Sequence, residues 1–285
     1  MNILVTGANG QLGNSVRKIS VNYPQHKFIF TDMPEVDITD LQLLENLVKD
    51  ENIGAIINCA AFTAVDKAES CEDLAAKINV DGPKNLAIAA KSVGAKLIHI
   101  STDYVFDGHS SLPLKETDST QPIGVYGKTK RQGEIEVEKS GCDAVIIRTA
   151  WLYSEYGNNF VKTMIRLGKE RDSLNVVYDQ IGTPTYATDL ALAIMALLEK
   201  GIKGFDIYHF SNEGVISWFD FTKAIFEIAG LKTKVNAIES FEYPTAAERP
   251  AYSVLNKRKI KEAGVAVPYW KESLKYCISI LESQQ

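Results

Sequence analysis

The chain has little cysteine: Cys59, Cys71, Cys142 and Cys277 are its four thiols in 285 residues, and no two form a C-x-x-C pair. That spacing supports neither a zinc site nor a disulfide framework, so reduced core cysteines are expected. The four histidines, His26, His99, His109 and His209, are equally scattered and none stands four residues from another, so no metal site is predicted. Long apolar runs are also missing. The longest, Leu190 to Leu198, has nine residues, against the roughly 20 that a membrane-spanning helix needs, and predicts a buried helix with no membrane partner. Neither sign of charge is concentrated: 31 basic and 36 acidic residues give a net charge of -5 with no long run of either. Nothing suggests a nucleic-acid surface, and a small-molecule protein is expected. Met1-Asn2-Ile3-Leu4-Val5-Thr6 lacks the basic start and apolar stretch of a signal peptide, so the expected location is the cytoplasm. There is no internal repeat and no low-complexity segment.

With 45% hydrophobic and 24% charged residues, the chain can bury a sizeable core in one large or two modest domains. Asn2 to Thr6 predicts a strand, followed by the turn Gly7-Ala8-Asn9-Gly10-Gln11-Leu12-Gly13 and a helix on which Leu12, Val16 and Ile19 recur. Phe28 to Asp32, Gly54 to Asn58, Lys96 to Ser101 and Asp143 to Thr149 predict four further strands. A helix after the cap Asp40 and another over Glu72 to Gly94, kinked at Gly82-Pro83, lie between them. This rhythm predicts an α/β fold: a doubly wound, Rossmann-type parallel sheet with right-handed crossovers.

Beyond Ala150 the rhythm loosens and aromatics gather at Trp151, Tyr153, Tyr156 and Phe160. A second, smaller substrate domain is placed here, over 151–173 and 211–285. Residues 1–150 form the dinucleotide-binding core, completed by returning segments around 174–210. Leu174 to Tyr178 and Phe205 to Phe210 are both expected to rejoin the sheet, with the Leu190 to Leu198 helix between them. Ser217 to Gly230 reads as a capped helix, and the tail, with Pro244, Arg249-Pro250 and Pro268, as loop-rich.

Several residues carry chemistry. Glycines in the first turn let the backbone approach a diphosphate, and the next helix offers free N–H groups to the anion. Asp32, 19 residues past Gly13, is placed to accept from an adenosine ribose. Cys59-Ala60-Ala61 presents small side chains at the end of the third strand, over which a flat cofactor can pass. Ser101-Thr102-Asp103-Tyr104 leaves the fourth strand at the edge where such sheets bind ligands. Tyr126 and Lys130, one helical turn apart, pair a phenol with an ammonium that favours its ionised form, an arrangement suited to proton transfer to a carbonyl.

Gly7-x-x-Gly10-x-x-Gly13 with Tyr126-x-x-x-Lys130 resembles the extended short-chain dehydrogenase/reductases. Ser101-Thr102-Asp103-Tyr104-Val105-Phe106-Asp107-Gly108, Ala64-Val65-Asp66-Lys67-Ala68-Glu69 and Asn158-Asn159-Phe160 are similar, within that superfamily, to the dTDP-4-dehydrorhamnose reductases. The likeness continues through Asp179-Gln180-x-Gly182-x-Pro184-Thr185 into Arg249-Pro250 and so spans nearly the whole chain. It implies reduction of a 4-keto group on a dTDP-6-deoxy-L-hexulose with hydride from NADPH or NADH. In that family's terms Tyr126 donates the proton to the C4 oxygen. Lys130 lowers the tyrosine pKa and holds the nicotinamide ribose, and Thr102 hydrogen-bonds the substrate oxygen or the tyrosine. The implied cofactor set is Gly7, Gly10, Gly13, Asp32, Ala60, Ala61, Tyr126 and Lys130, with Gln11 and Leu12 reaching the diphosphate through their backbone. Tyr104, Trp151, Asn159 and Arg249 match positions near the sugar nucleotide, and Arg249 suits a diphosphate.

Asp32 disfavours a 2'-phosphate by charge while the family is associated mainly with NADPH, so use of both cofactors is expected. Some relatives dimerise through magnesium held by glutamates. Ser15 stands where the first would be, so no metal is expected and a homodimer stays open. Two other readings are kept. One is a non-catalytic regulatory subunit like that of methionine adenosyltransferase, against which the intact Thr102, Tyr126 and Lys130 argue. The other is an extended enzyme of the same superfamily acting on another nucleotide sugar, such as an epimerase or dehydratase. A dehydratase usually has an acidic pair after the serine/threonine, whereas Asp103 is followed by Tyr104.

Overall fold

The computed structural model describes residues 1–283. Six strands, β1 (Asn2–Thr6), β2 (Lys27–Thr31), β3 (Ile53–Asn58), β4 (Lys96–Thr102), β5 (Ala144–Thr149) and β6 (Phe205–His209), form one parallel sheet in the order β6-β5-β4-β3-β1-β2. The strands are short apolar runs because both faces are covered. Ile3 and Val5 point to one face, where the helices Gln11–Ile19 and Ala187–Lys200 pack, and Leu4 points to the other, under Leu41–Asp50 and Gly82–Val93. The order reverses between β1 and β3, which opens a crevice beyond their carboxyl ends.

A further apolar cluster, including Tyr153, Phe221, Ile225, Trp270 and Leu274, lies among the helices Phe160–Glu170, Trp218–Ile228 and Trp270–Ser283. Four expectations are corrected here. Ser173–Val177 does not rejoin the main sheet but pairs in parallel with Lys234–Ile238. Its buried Leu174 and Val176 alternate with exposed Ser173 and Asn175, the pattern of a strand covered on one face only. Phe205–His209 does rejoin, beside β5.

The tail is not all loop. Trp270, Leu274, Cys277, Ile278 and Leu281 recur at helical spacing and dock Trp270–Ser283 into the aromatic cluster. The irregularity expected at Gly82-Pro83 sits one turn earlier, as a π-helical turn over Lys77–Asp81. Pro83 lies instead in the first turn of a helix, where its missing N–H is not needed. All four cysteines are free, but only Cys142 and Cys277 are buried, Cys59 and Cys71 being half-buried. Among the described residues no helix is long and apolar enough to cross a membrane.

The helix Val125–Ser140 is tied to the sheet by a buried ion pair. Arg148 on β5 donates from Nε and Nη2 to the two carboxylate oxygens of Glu134, at 2.9 and 2.7 Å, a charge-assisted fork. Both side chains are shut away from solvent, and since Arg131 also reaches Glu134 Oε2 at 3.2 Å, it is the loss of Glu134 that strands its buried partner. Glu134→Met is expected to cost about 3–5 kcal/mol in urea unfolding, with most of it recovered in the double variant Arg148→Met/Glu134→Met. A single-variant loss under about 1 kcal/mol would contradict this.

Candidate active site

The carboxyl ends of β1, β3 and β4 open into a cleft of about 910 Å³. Gly7, Gly10, Gln11, Leu12, Asp32, Ala60 and Ala61 line one part of it, and Thr102, Tyr104, Tyr126, Lys130, Trp151 and Asn159 also face it. Of the residues singled out in the sequence, Gly13 and Arg249 are absent from this lining.

The glycine turn owes its shape to three close approaches. Gly7 has φ +65, and a Cβ there would lie 2.6 Å from the Ala60 nitrogen on the neighbouring strand's exit. A Cβ on Gly13 would run into the Gly7 carbonyl and sit 2.5 Å from Ala8 Cα. Gly13 therefore lets the helix pack against the turn, and it does not line the cleft. Gly10 is the N-cap of Gln11–Ile19 and supplies no capping side chain. The first-turn N–H groups, with the positive end of the helix dipole, are left for an anion. This cradle fits a dinucleotide diphosphate. Asp32 accepts from Asn9 N–H at 2.8 Å and from its own neighbour Met33 N–H at 2.9 Å, so it also braces the turn.

Tyr126, Lys130 and Thr102 all line the cleft, Thr102 within hydrogen-bonding reach of the Tyr126 phenol. Tyr126 lies in the first turn of Val125–Ser140, whose leading N–H, from Val125, donates to Glu69 Oε1 at 2.8 Å. Thr102 Oγ1 accepts from Tyr104 N–H at 3.2 Å and donates to Asp103 Oδ1 at 2.9 Å. Its proton is thus directed at Asp103. Asp103 is 3% exposed and its Oδ2 has no hydrogen-bond partner. Burial pushes its carboxyl up to about 6 against the Thr102 hydrogen bond.

One electrostatic expectation is corrected. Burial raises the Tyr126 phenol to about 12, opposed by its hydrogen bond with Thr102 and reinforced by the Asp103 charge. The Lys130 amine donates to the Ile100 carbonyl at 2.7 Å and faces His99 Nε2 at 3.4 Å. Burial brings it down to about 8 against the pull of Glu134. One-turn spacing brings the two residues together but does not say where the amine points.

Trp151 and Trp218 stack at 3.6 Å between ring centroids and form an aromatic wall of the cleft. Trp151 has φ +47, a strained conformation for a bulky residue, held by this stack and by Gly182, where a Cβ would meet the indole at 2.7 Å. Tyr104 packs edge-on against Tyr126 at 5.4 Å. Asn159 caps Phe160–Glu170 through Oδ1 and donates from Nδ2 to Gln11 Oε1 at 3.0 Å, linking the aromatic region to the glycine turn. Arg249 is tied to Asp66 at 2.7 Å, and the same carboxylate accepts from Ala247 N–H.

Asp103, His99, Asp66 and Trp218 were not assigned roles from the sequence. Asp66 and Glu69 did stand inside the motif Ala64 to Glu69, and Asp103 inside Ser101 to Gly108. His99 had no signal beyond a polar residue inside an apolar strand.

A family model described as the RmlD substrate binding domain matches residues 1–283. The dTDP-4-dehydrorhamnose reductase of Aggregatibacter actinomycetemcomitans is 44% identical over 284 residues, covering 96% of this chain and 97% of that one. A crystal structure of a dTDP-4-dehydrorhamnose reductase, an RfbD ortholog, from Clostridium acetobutylicum has a TM-score of 0.94 at 46% identity, covering 99% of this chain and 100% of its own. The dTDP-4-dehydrorhamnose reductase of Bacillus anthracis, in complex with NADP, has a TM-score of 0.94 at 42% identity, covering 98% and 99%.

The raised Asp103 carboxyl makes stability depend on pH. The folded chain holds this proton to about 6 while the unfolded chain releases it near 3.8, so stability falls as pH rises between those values and is flat above them. Asp103→Asn removes the effect. Relative to the parent it should gain up to about 3 kcal/mol between pH 3 and pH 8 in urea unfolding. A difference independent of pH would contradict the assignment.

Proposed function

The chain belongs to the dTDP-4-dehydrorhamnose reductase family, and we propose that it reduces the C4 ketone of dTDP-4-dehydrorhamnose to dTDP-L-rhamnose with hydride from NADPH or NADH. The observation that carries this is the meeting of Tyr126, Thr102 and Lys130 in a cleft that also contains an uncapped helix N-terminus behind a glycine turn.

In this reading the nicotinamide cofactor supplies the hydride, and the chain's own residues do the rest. Gly7, Gly10, Gln11 and Leu12 hold the diphosphate through backbone N–H groups, Gly13 keeps the turn closed, and Asp32 faces the adenosine ribose. Ala60 and Ala61 leave room for the flat parts of the cofactor, and Lys130 and Tyr126 hold the nicotinamide ribose. Tyr126 gives its proton to the C4 oxygen as negative charge develops there. A phenol raised to about 12 is fully protonated at neutral pH and ready to donate. As the phenolate forms, the Thr102 hydroxyl can turn from Asp103 and donate to it.

Trp151 supplies an apolar surface for the 6-deoxy sugar, while Tyr104 and Asn159 border it. Arg249, whose charge is felt by the Tyr104 hydroxyl, is proposed for the substrate diphosphate once it leaves Asp66. The cofactor part is taken as residues 1–150 with the helix and strand of 187–210, and the substrate part as 151–186 and 211–283. Both substrates are charged and water-soluble, and we place the reaction in the cytoplasm.

Tyr126→Phe should lower kcat by about a thousandfold or more while changing the NADPH Kd by less than about tenfold, the share of one ribose hydrogen bond. The measurement is loss of NADPH absorbance with dTDP-4-keto-6-deoxyhexulose, with the product identified by NMR. Retained turnover would remove Tyr126 as the acid. The Asp32 carboxylate should keep the preference for NADPH over NADH, as a ratio of kcat/KM, below about a hundredfold, and Asp32→Ala should raise it. A larger ratio in the parent would show that this charge does not face the 2'-oxygen.

A further inference from the structure

Strand register places Thr6 opposite Asn58 and Asn58 opposite His99, so their side chains form a row across β1, β3 and β4 beneath the cleft. All three are 1% exposed or less. The hydrogen bonds along the row have fixed directions. Asn58 Oδ1 accepts from the Ala60 backbone N–H at 3.0 Å, a group that can only donate, and from Thr6 Oγ1 at 2.8 Å. The Asn58 amide nitrogen must then face His99 Nδ1, at 2.9 Å, and donate to it. A neutral imidazole that accepts at Nδ1 carries its hydrogen on Nε2. That Nε2–H points at the Lys130 amine, 3.4 Å away.

We infer that His99 is a positioning residue for Lys130: its tautomer, locked by Asn58 and Ala60, presents an N–H to the amine and so favours the amine's neutral form over the ammonium. Two donors face each other when Lys130 is charged. When it is neutral, its lone pair accepts from His99 while its own hydrogen goes to the Ile100 carbonyl.

The other groups around the amine do not produce this bias. Glu134, from the same helix, acts in the opposite sense, and its carboxylate is already held by Arg148 from β5 and by Arg131. Tyr126, on the same helix, and Asp103, beyond the end of β4, are the other titratable groups at this end of the cleft. Burial favours the neutral form of both Lys130 and His99, and the N–H contact between them acts in the same sense. The consequence is that Lys130 can give up a proton near neutral pH, as a group replenishing Tyr126 must.

The inference rests on the reductase reading for its kinetic arm but not for its spectroscopic one. Long-range ¹H–¹⁵N correlation spectra of histidine-labelled protein should show His99 neutral with hydrogen on Nε2 from pH 6 to pH 9. A hydrogen on Nδ1, or a protonated ring, overturns the inference whether or not the chain reduces a dTDP-sugar.

In the kinetic arm, Asn58→Asp puts an acceptor against Nδ1, moves the hydrogen there and turns Nε2 into an acceptor for Lys130. His99→Leu removes the N–H. Both should move the alkaline limb of the kcat–pH profile upward by about one unit. A limb that stays in place in both variants, whatever their kcat, overturns the inference. If His99→Leu does not fold, Asn58→Asp and the tautomer spectrum decide alone.

Discussion

Parallel register across β1, β3 and β4 is the constraint on which the other features depend. It sets Thr6, Asn58 and His99 side by side, and therefore brings the residues that follow each of them to one edge of the sheet. Gly7 turns against Ala60 there, and Thr102 emerges two strands away from the glycine turn. Two interstrand steps are about 10 Å. That is the scale of separation between a bound diphosphate and the reacting end of the same cofactor. A one-residue slip would send the row to the opposite face and break the Gly7 approach to Ala60 together.

Burial then sets the chemistry. Tyr126, Asp103, His99 and Lys130 all depart from their ordinary pKa values, and in each case loss of solvent is the leading cause. The direction is the same in all four: the neutral form is favoured. A protonated phenol beside an amine that loses its proton easily suits delivery of a proton to a carbonyl, whereas a permanently ionised tyrosine would suit removal of one. The ion pair Arg148–Glu134 keeps its charges paired behind this region and holds the helix that carries Tyr126 and Lys130 against the sheet. Gly127 lets that helix approach closely, since a Cβ there would collide with the Tyr104 carbonyl.

Much of this could be read from residue types. Glycine spacing, short apolar strands and Tyr126-x-x-x-Lys130 report local backbone requirements and one-turn proximity, which survive folding unchanged. What could not be read depends on directions in space. Lys130 is one turn from Tyr126, but only the fold shows its amine turned to Ile100 and His99. Arg249 has the right chemistry for a diphosphate, yet it lies 183 residues from Asp66, the carboxylate that holds it. Gly13 was grouped with ligand-facing glycines although its lack of a Cβ serves packing. The strand Ser173–Val177 has apolar residues enough for the main sheet, and only its alternation with polar ones marks it as half-covered. The terminal helix Trp270–Ser283 follows Gly264 and Pro268, turn-forming residues that read as loop and mask the periodicity beyond them.

In the proposed reaction this cleft carries hydride to C4 of a keto-sugar while Tyr126 protonates its oxygen. Turnover of dTDP-4-dehydrorhamnose with NADPH deuterated at the transferring C4 position, followed by NMR of the product, tests it most directly. The expected product is dTDP-L-rhamnose with deuterium at C4 of the sugar and nowhere else. Deuterium at another carbon, or no transfer at all from either C4-deuterated stereoisomer of the cofactor, would contradict it.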